Sequence, residues 1–384
     1  MCMPSSHREK TEYARALLSS SMLESATTRA NTFGHVLYFD VLRVLAAFAV
    51  VALHCIISIA NLSTLSSSTQ ALMMVESGAA VILFRWAVPL FFMISGALML
   101  HPQRYVTSKK VVHHIVRLVA ILSTIGLCFS MIKVAATGFT SPVDLILQAI
   151  LKTLIGQSWD HLWFLYKLIG LYALVMPLRI VLQATSPKQH KWALMVMWIT
   201  LMVLPNIASI TQIDIISYMP LSYELLYFVA GYYLFFEEND NRVLYYVGAL
   251  VSAVGMVVLF VYDYDMFFMP QSSFMFVYSA GICIAAKAFA QRVCQHANIQ
   301  SLWCQRFTVL IRFLASYSFG IYVLHVVWIQ ALVRYVALFQ TSFIEQADMF
   351  QVLVFQLMLL LVSVVCSWVC TMLLRRLSFF AKYL

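Results

Sequence analysis

Apolar residues in this chain come in blocks of bilayer length, parted by polar stretches. About ten such blocks can be marked off, at 38–60, 78–100, 111–135, 162–182, 191–208, 219–236, 243–262, 272–290, 311–336 and 351–375. About 20 residues rising about 1.5 Å each cross the hydrocarbon, so each block is read as one transmembrane helix. The stretch 142–157 is shorter and amphipathic, and is read as an interfacial helix leading into the fourth span. Residues 1–37 are polar, mixed in charge and without the apolar core of a cleavable signal peptide. A disordered tail is expected there, with Met22 as an alternative start. The domain plan is a tail over 1–37, a membrane domain over 38–376 and a short C-terminal tail over 377–384.

Lysine and arginine alternate between the connecting segments. The tail carries Arg8, Lys10, Arg15 and Arg29, the second–third loop Arg104, Lys109 and Lys110, and the fourth–fifth loop Lys188 and Lys191. Arg292 and Arg306 follow in the eighth–ninth loop, then Arg375, Arg376 and Lys382 at the C-terminus. The intervening loops hold almost none, and only the sixth–seventh loop is ambiguous. Positive charge marks the cytoplasmic side, so both termini are expected inside, in agreement with an even number of spans. The expected fold is an all-α polytopic membrane bundle of about ten helices.

Composition supports this. The 384 residues are 62% hydrophobic and 11% charged, with a mean hydropathy of +0.86, where a soluble chain would carry about 25% charge. The net charge of +9 does not indicate nucleic acid, because the basic residues sit at helix ends rather than in one patch. Most of the eight cysteines lie inside apolar blocks with no disulfide framework or zinc spacing. Cys366 and Cys370 share a helix face without a second ligand pair, so no metal is expected.

The ionisable residues inside the blocks are the candidate chemistry, because each costs roughly 2.5–3.5 kcal/mol near the bilayer centre. The first block holds Asp40, Arg43 and His54. Arg43 and His54 are eleven positions apart, which at about 100° per residue leaves them about 20° from alignment on one face. They are separated by about 16 Å of depth. The same arithmetic places Arg85, Glu224 and His325 near the level of His54, in the outer half, with His161 and Trp163 just above. Asp40, Arg43, Ser95, His113, His114 and Arg117 form a second layer at the cytoplasmic end. Blander readings stand beside these. Asp40 and Arg43 suit an interfacial ion pair, Arg85 suits a pair with Glu224, and His325 suits an interhelical hydrogen bond. Ser95 and Gly96 suit close helix packing, and His113 and His114 suit a solvated surface.

Four stretches carry a resemblance. Leu42–Arg43, ten residues and then His54 resemble the opening helix of the acyltransferase 3 family of bacterial membrane acyltransferases. RWAVPLFFMISG (Arg85–Gly96), HLWFL (His161–Leu165) and YSFGIYVLH (Tyr317–His325) are similar to later landmarks of that family, in its order. The resemblance implies transfer of an acyl group, usually acetyl, from a coenzyme A thioester at the cytoplasm to a glycan or lipid at the outer side. His54 and Arg43 are then the expected catalytic residues. Arg43, Asp40, Ser95 and Arg117 are expected to hold the donor, acetyl-CoA or alternatively succinyl-CoA. Arg85, Glu224, His161, Trp163 and His325 are expected to serve the acceptor or support the site. The layout looks most like the branch acting on exopolysaccharide or common-antigen glycans, in a bacterial inner membrane. A transporter or flippase for lipid-linked glycans is the alternative, although no internal repeat is seen. A polyprenyl-phosphate-sugar glycosyltransferase is a further one, but it would need acidic metal-binding clusters in outer loops.

Overall fold

The computed structural model describes residues 37–60, 67–211, 222–237, 241–262, 269–296, 302–339 and 348–384. The expected tail lies outside these residues apart from Leu37, as does half of the ambiguous sixth–seventh loop. Among the described residues there are helices and no strands. This is what the bilayer demands, since each backbone polar group must find its partner within its own segment.

The first helix, α1, covers Leu37–Ala60 without a glycine or proline. Next come α2 (Ser67–Phe84) and α3 (Ala87–Leu100), which contain one 32-residue span, Thr69–Leu100, interrupted at Arg85 and Trp86. Pro89 explains the interruption. It offers no N–H to the carbonyl four residues back, at Arg85, and its ring crowds that carbonyl. The span begins earlier than the expected 78. Its added turns hold the buried Met73 and the half-buried Glu76, and Gln356 from a later helix donates to Glu76 at 3.0 Å.

Helices α4 (Ser108–Ile121) and α5 (Leu127–Thr137) continue one span through a single wide turn at Leu122–Gly126. The expected interfacial helix is α6 (Pro142–Leu154), capped by Ser141 accepting from the Asp144 amide. Its Val143, Ile146, Leu147, Ile150 and Leu151 are exposed. The expected span 162–182 is a bent pair, α7 (Trp163–Ala173) and α8 (Val175–Ala184), turning by 50°. Pro177 acts on Ala173 there as Pro89 acts on Arg85. Then follow α9 (Pro187–Trp198), α10 (Leu204–Thr211), α11 (Tyr223–Tyr232), α12 (Arg242–Val261), α13 (Ser273–His296), α14 (Leu302–Phe339), α15 (Met349–Leu374) and α16 (Ser378–Tyr383).

Among the described residues, seven helices are long and apolar enough to cross a membrane, and eight if the bent pair counts as one span. The other two expected spans are helical but shorter. One is α11 with the wide turn Tyr233–Glu237 that follows it, and the other is the apolar part of α13, Ser273–Phe289. The protein is therefore a polytopic helical membrane bundle.

Helix α11 forms the centre, with every residue from Glu224 to Tyr232 buried. It packs on α3 through a reciprocal pair of glycines. A Cβ on Gly96 would fall on the Phe228 carbonyl, and one on Gly231 would fall on the Met93 backbone. Small residues let membrane helices approach this closely, so Gly96 is a packing residue. At the other extreme α12 is peripheral, with a row of exposed valines and leucines suited to lipid.

Candidate active site

Three imidazoles meet where α1, the turn before α7, and α14 come together. The ring centroids of His54 and His325 are 5.2 Å apart, those of His161 and His325 5.2 Å, and those of His54 and His161 6.4 Å. His161 and His325 are buried, while His54 is half-buried. His161 stands in the turn Asp160–Leu162, which Lys133 anchors through an ion pair to Asp160 at 3.3 Å. The charged groups acting on His54 are Arg85 and Asp160.

Carbonyl neighbours decide the tautomers of the two buried rings. His161 Nε2 lies 3.0 Å from the Val323 carbonyl, and His325 Nδ1 lies 2.7 Å from the Tyr322 carbonyl. A carbonyl only accepts, so both nitrogens carry the proton. The opposite atoms, His161 Nδ1 and His325 Nε2, are then lone-pair acceptors with no partner among the described residues. Buried polar atoms are seldom left so. The Tyr322 hydroxyl donates to the His161 carbonyl and fixes that turn against α14.

A cavity of about 370 Å³ leads toward this cluster from the end of the bundle where α1 starts. Its outer part is cationic, with Arg43, Arg104, His114 and Arg117, and no carboxylate is among its lining residues. Its inner end is closed by Phe91, Phe164 and Tyr322, whose centroids lie 5.6–6.1 Å apart. Tyr322 in turn contacts the His161 and His325 rings at 5.8 and 6.0 Å. Ser95 and Tyr172 both line the cavity.

A second cavity, of about 400 Å³, shares Arg43, Leu98 and Arg104 with the first and adds Phe39, Asp40, His101 and Phe236. The loop after α3 forms part of its wall and is held by a buried arginine. Arg179 donates to the carbonyls of Met99 (2.9 Å), His101 (2.7 Å) and Arg104 (3.0 Å). A cation is well placed there, because the last carbonyls of a helix lack partners. Burial first, then Arg179 and Arg104, push the His101 imidazole down from its usual pKa, so the ring is neutral at physiological pH.

The expected residues fall into three groups. His54, His161 and His325 come together. Arg43, Ser95 and Arg117 line the first cavity and Asp40 the second, with Arg43 paired to Asp40 at 3.1 Å. Arg117 donates to the main-chain oxygens of Tyr383 (2.8 Å) and Leu384 (3.0 Å), which brings the C-terminal segment to the cavity wall. The rest is different. Glu224 does not pair with Arg85. It faces Lys167 at 3.1 Å and accepts from Ser222, since α7 lies across α11 at that level. Arg85 forms no ion pair among the described residues and lies beside Tyr223. Trp163 packs on Phe92 and Phe164 rather than in the imidazole cluster. His114 is half-buried and lines the first cavity, while His113 is exposed.

Lys167, Arg179, Tyr172 and Tyr322 were not singled out in the sequence. Tyr322 sat within the YSFGIYVLH motif, but the others gave no local signal. Cys55, Cys128, Cys283, Cys366 and Cys370 are free thiols. Among the described residues, no group of three or more His, Cys, Asp or Glu side chains is arranged to hold a metal ion. A family model described as an acyltransferase domain matches residues 36–372. Neither a curated protein nor a solved structure matches the chain.

Proposed function

The chain belongs to the acyltransferase 3 family, and from that premise we propose that it moves a short acyl group from acyl-coenzyme A to a glycan hydroxyl. The acyl group is acetyl, with succinyl as the alternative. The acceptor is a cell-surface polysaccharide or its lipid-linked precursor, and the setting is the inner membrane of a bacterium. Both termini lie in the cytoplasm, consistent with the starts of α1 and α4 and the ends of α3, α8 and α15 gathering at one arginine-rich end.

One observation carries the reading. A cavity with an arginine mouth ends on rings that touch a cluster of three imidazoles. Arginine suits phosphate through charge-assisted, two-pronged hydrogen bonds. The thin pantetheine arm suits the narrow aromatic end. The thioester would then stand beside His54, about 16 Å deeper than Arg43 along α1.

In the direct reaction His54 takes the proton of the acceptor hydroxyl. The oxygen attacks the thioester carbonyl, the new C–O bond forms and the C–S bond breaks. The proton passes from the imidazole to the departing thiolate. The lone pairs on His161 Nδ1 and His325 Nε2 are positioned to accept from the protonated His54 ring or from the sugar. An acyl-histidine relay is the competing route. It gains nothing from Glu224, which Lys167 engages.

Sealed vesicles of both orientations test the transfer. Labelled acetyl-CoA supplied to the cytoplasmic face should acylate glycan, and the same donor supplied to the outer face should not. Equal use of donor from either face overturns the proposal.

A further inference from the structure

The second cavity has a different chemistry from the first, although they share a wall. The first has Arg43, Arg104, His114 and Arg117 and no carboxylate among its lining residues. The second has the Asp40 carboxylate and three rings, Phe39, His101 and Phe236. The excess of cations suits a polyanion to the first, whereas in the second the Asp40 carboxylate offsets the shared arginines. A flat, neutral heterocycle with an amino group suits the second.

The walls there are already built. His101 meets Phe236 edge-on with centroids 4.1 Å apart, and its Nδ1 accepts the Gln103 amide at 3.2 Å. Arg179 clamps the backbone of the same loop. Phe39 is held against Phe235 at 4.9 Å. Asp40 Oδ1 is engaged by Arg43, while Oδ2 has no hydrogen-bond partner among the described residues. A carboxylate oxygen with spare acceptor capacity beside aromatic faces is the complement of an exocyclic amine on a stacked ring.

We propose that this second cavity is the base-binding subsite of the donor. The purine packs against His101 and Phe236 and gives its exocyclic amine to Asp40 Oδ2. Arg43 and Arg104, in the shared wall, hold the phosphates, and the pantetheine arm enters the first cavity. The proposal rests on the acyl-coenzyme A reading. It adds that the protein reads the nucleobase, and it gives Asp40 a second task beside its ion pair with Arg43.

Competition binding on the purified full-length protein tests this, with labelled coenzyme A as probe. Adenosine 3′,5′-bisphosphate should displace the probe about tenfold better than inosine 3′,5′-bisphosphate, which has an oxygen where adenine has the amine; hydrogen bonds to charged groups account for a preference of at least this size. Asp40→Asn should bring the two within about twofold of each other. Phe236→Ala should weaken both several-fold and leave their ratio unchanged. Equal competition by the two nucleotides on the wild-type protein refutes the subsite while leaving the donor intact, and needs no variant to fold. An undiminished adenine preference in Asp40→Asn refutes the role of Asp40. Absence of coenzyme A binding removes both the subsite and the donor reading.

Discussion

Replacing Lys167 with methionine keeps the apolar stem of the side chain and removes the charge that faces Glu224. The carboxylate is 2% exposed and its cation stands 3.1 Å away. Removing one partner of a buried ion pair typically costs about 3–5 kcal/mol, because the other charge stays behind without compensation. Lys167 is itself 46% exposed, so water or headgroups already screen part of the attraction. The Ser222 hydroxyl also continues to donate to Glu224. The expected loss is about 2 kcal/mol after these allowances. In detergent this should lower the midpoint of thermal unfolding by about 4 °C. Glu224→Gln in the same background should restore most of the loss, since it removes the stranded charge. Arg85→Met should cost little stability by itself. The reasoning is refuted if Lys167→Met is neutral and Arg85→Met is the damaging change, because Arg85 would then be the true partner of Glu224.

Three further outcomes are expected. Gly96→Ala should destabilise by about 1–3 kcal/mol or more, seen as loss of a monodisperse peak after solubilisation, because the added methyl meets the Phe228 carbonyl; a stable, active variant would contradict the close approach of α3 and α11. Arg179→Met should weaken coenzyme A binding several-fold by releasing the loop that bears His101 and Arg104, whereas unchanged affinity would separate that loop from the donor. Arg43→Lys keeps the charge but loses the planar fork, so donor affinity should fall about tenfold; wild-type binding would remove Arg43 from phosphate recognition.

The sequence made α1 readable because helical periodicity alone puts Arg43 and His54 on one face. It also led to His325 at the depth of His54 and to His161 just above, since rise per residue converts position into depth once orientation is set. It could not show which cation meets Glu224. Arg85 and Lys167 both lie at a suitable level, and only the packing of α7 on α11 decides between them. Arg179 was hidden for the same reason, since its carbonyl partners lie 75 to 80 positions away. The early start of α2 was missed because its first turns are not apolar. They are held by contacts to α15, including that of Gln356 with Glu76. The break at Arg85 follows a rule visible in the sequence, a proline four residues on, but hydropathy does not see it.

The central claim is that His54 is the proton acceptor for acyl transfer. The direct measurement is the rate of glycan acylation from labelled acetyl-CoA by His54→Ala protein that is inserted and still binds coenzyme A. The substitution removes a polar group from the membrane, so insertion should be preserved. The account predicts a rate at least about 100-fold below wild type, the typical contribution of a positioned general base. Acylation at the wild-type rate by His54→Ala would contradict it.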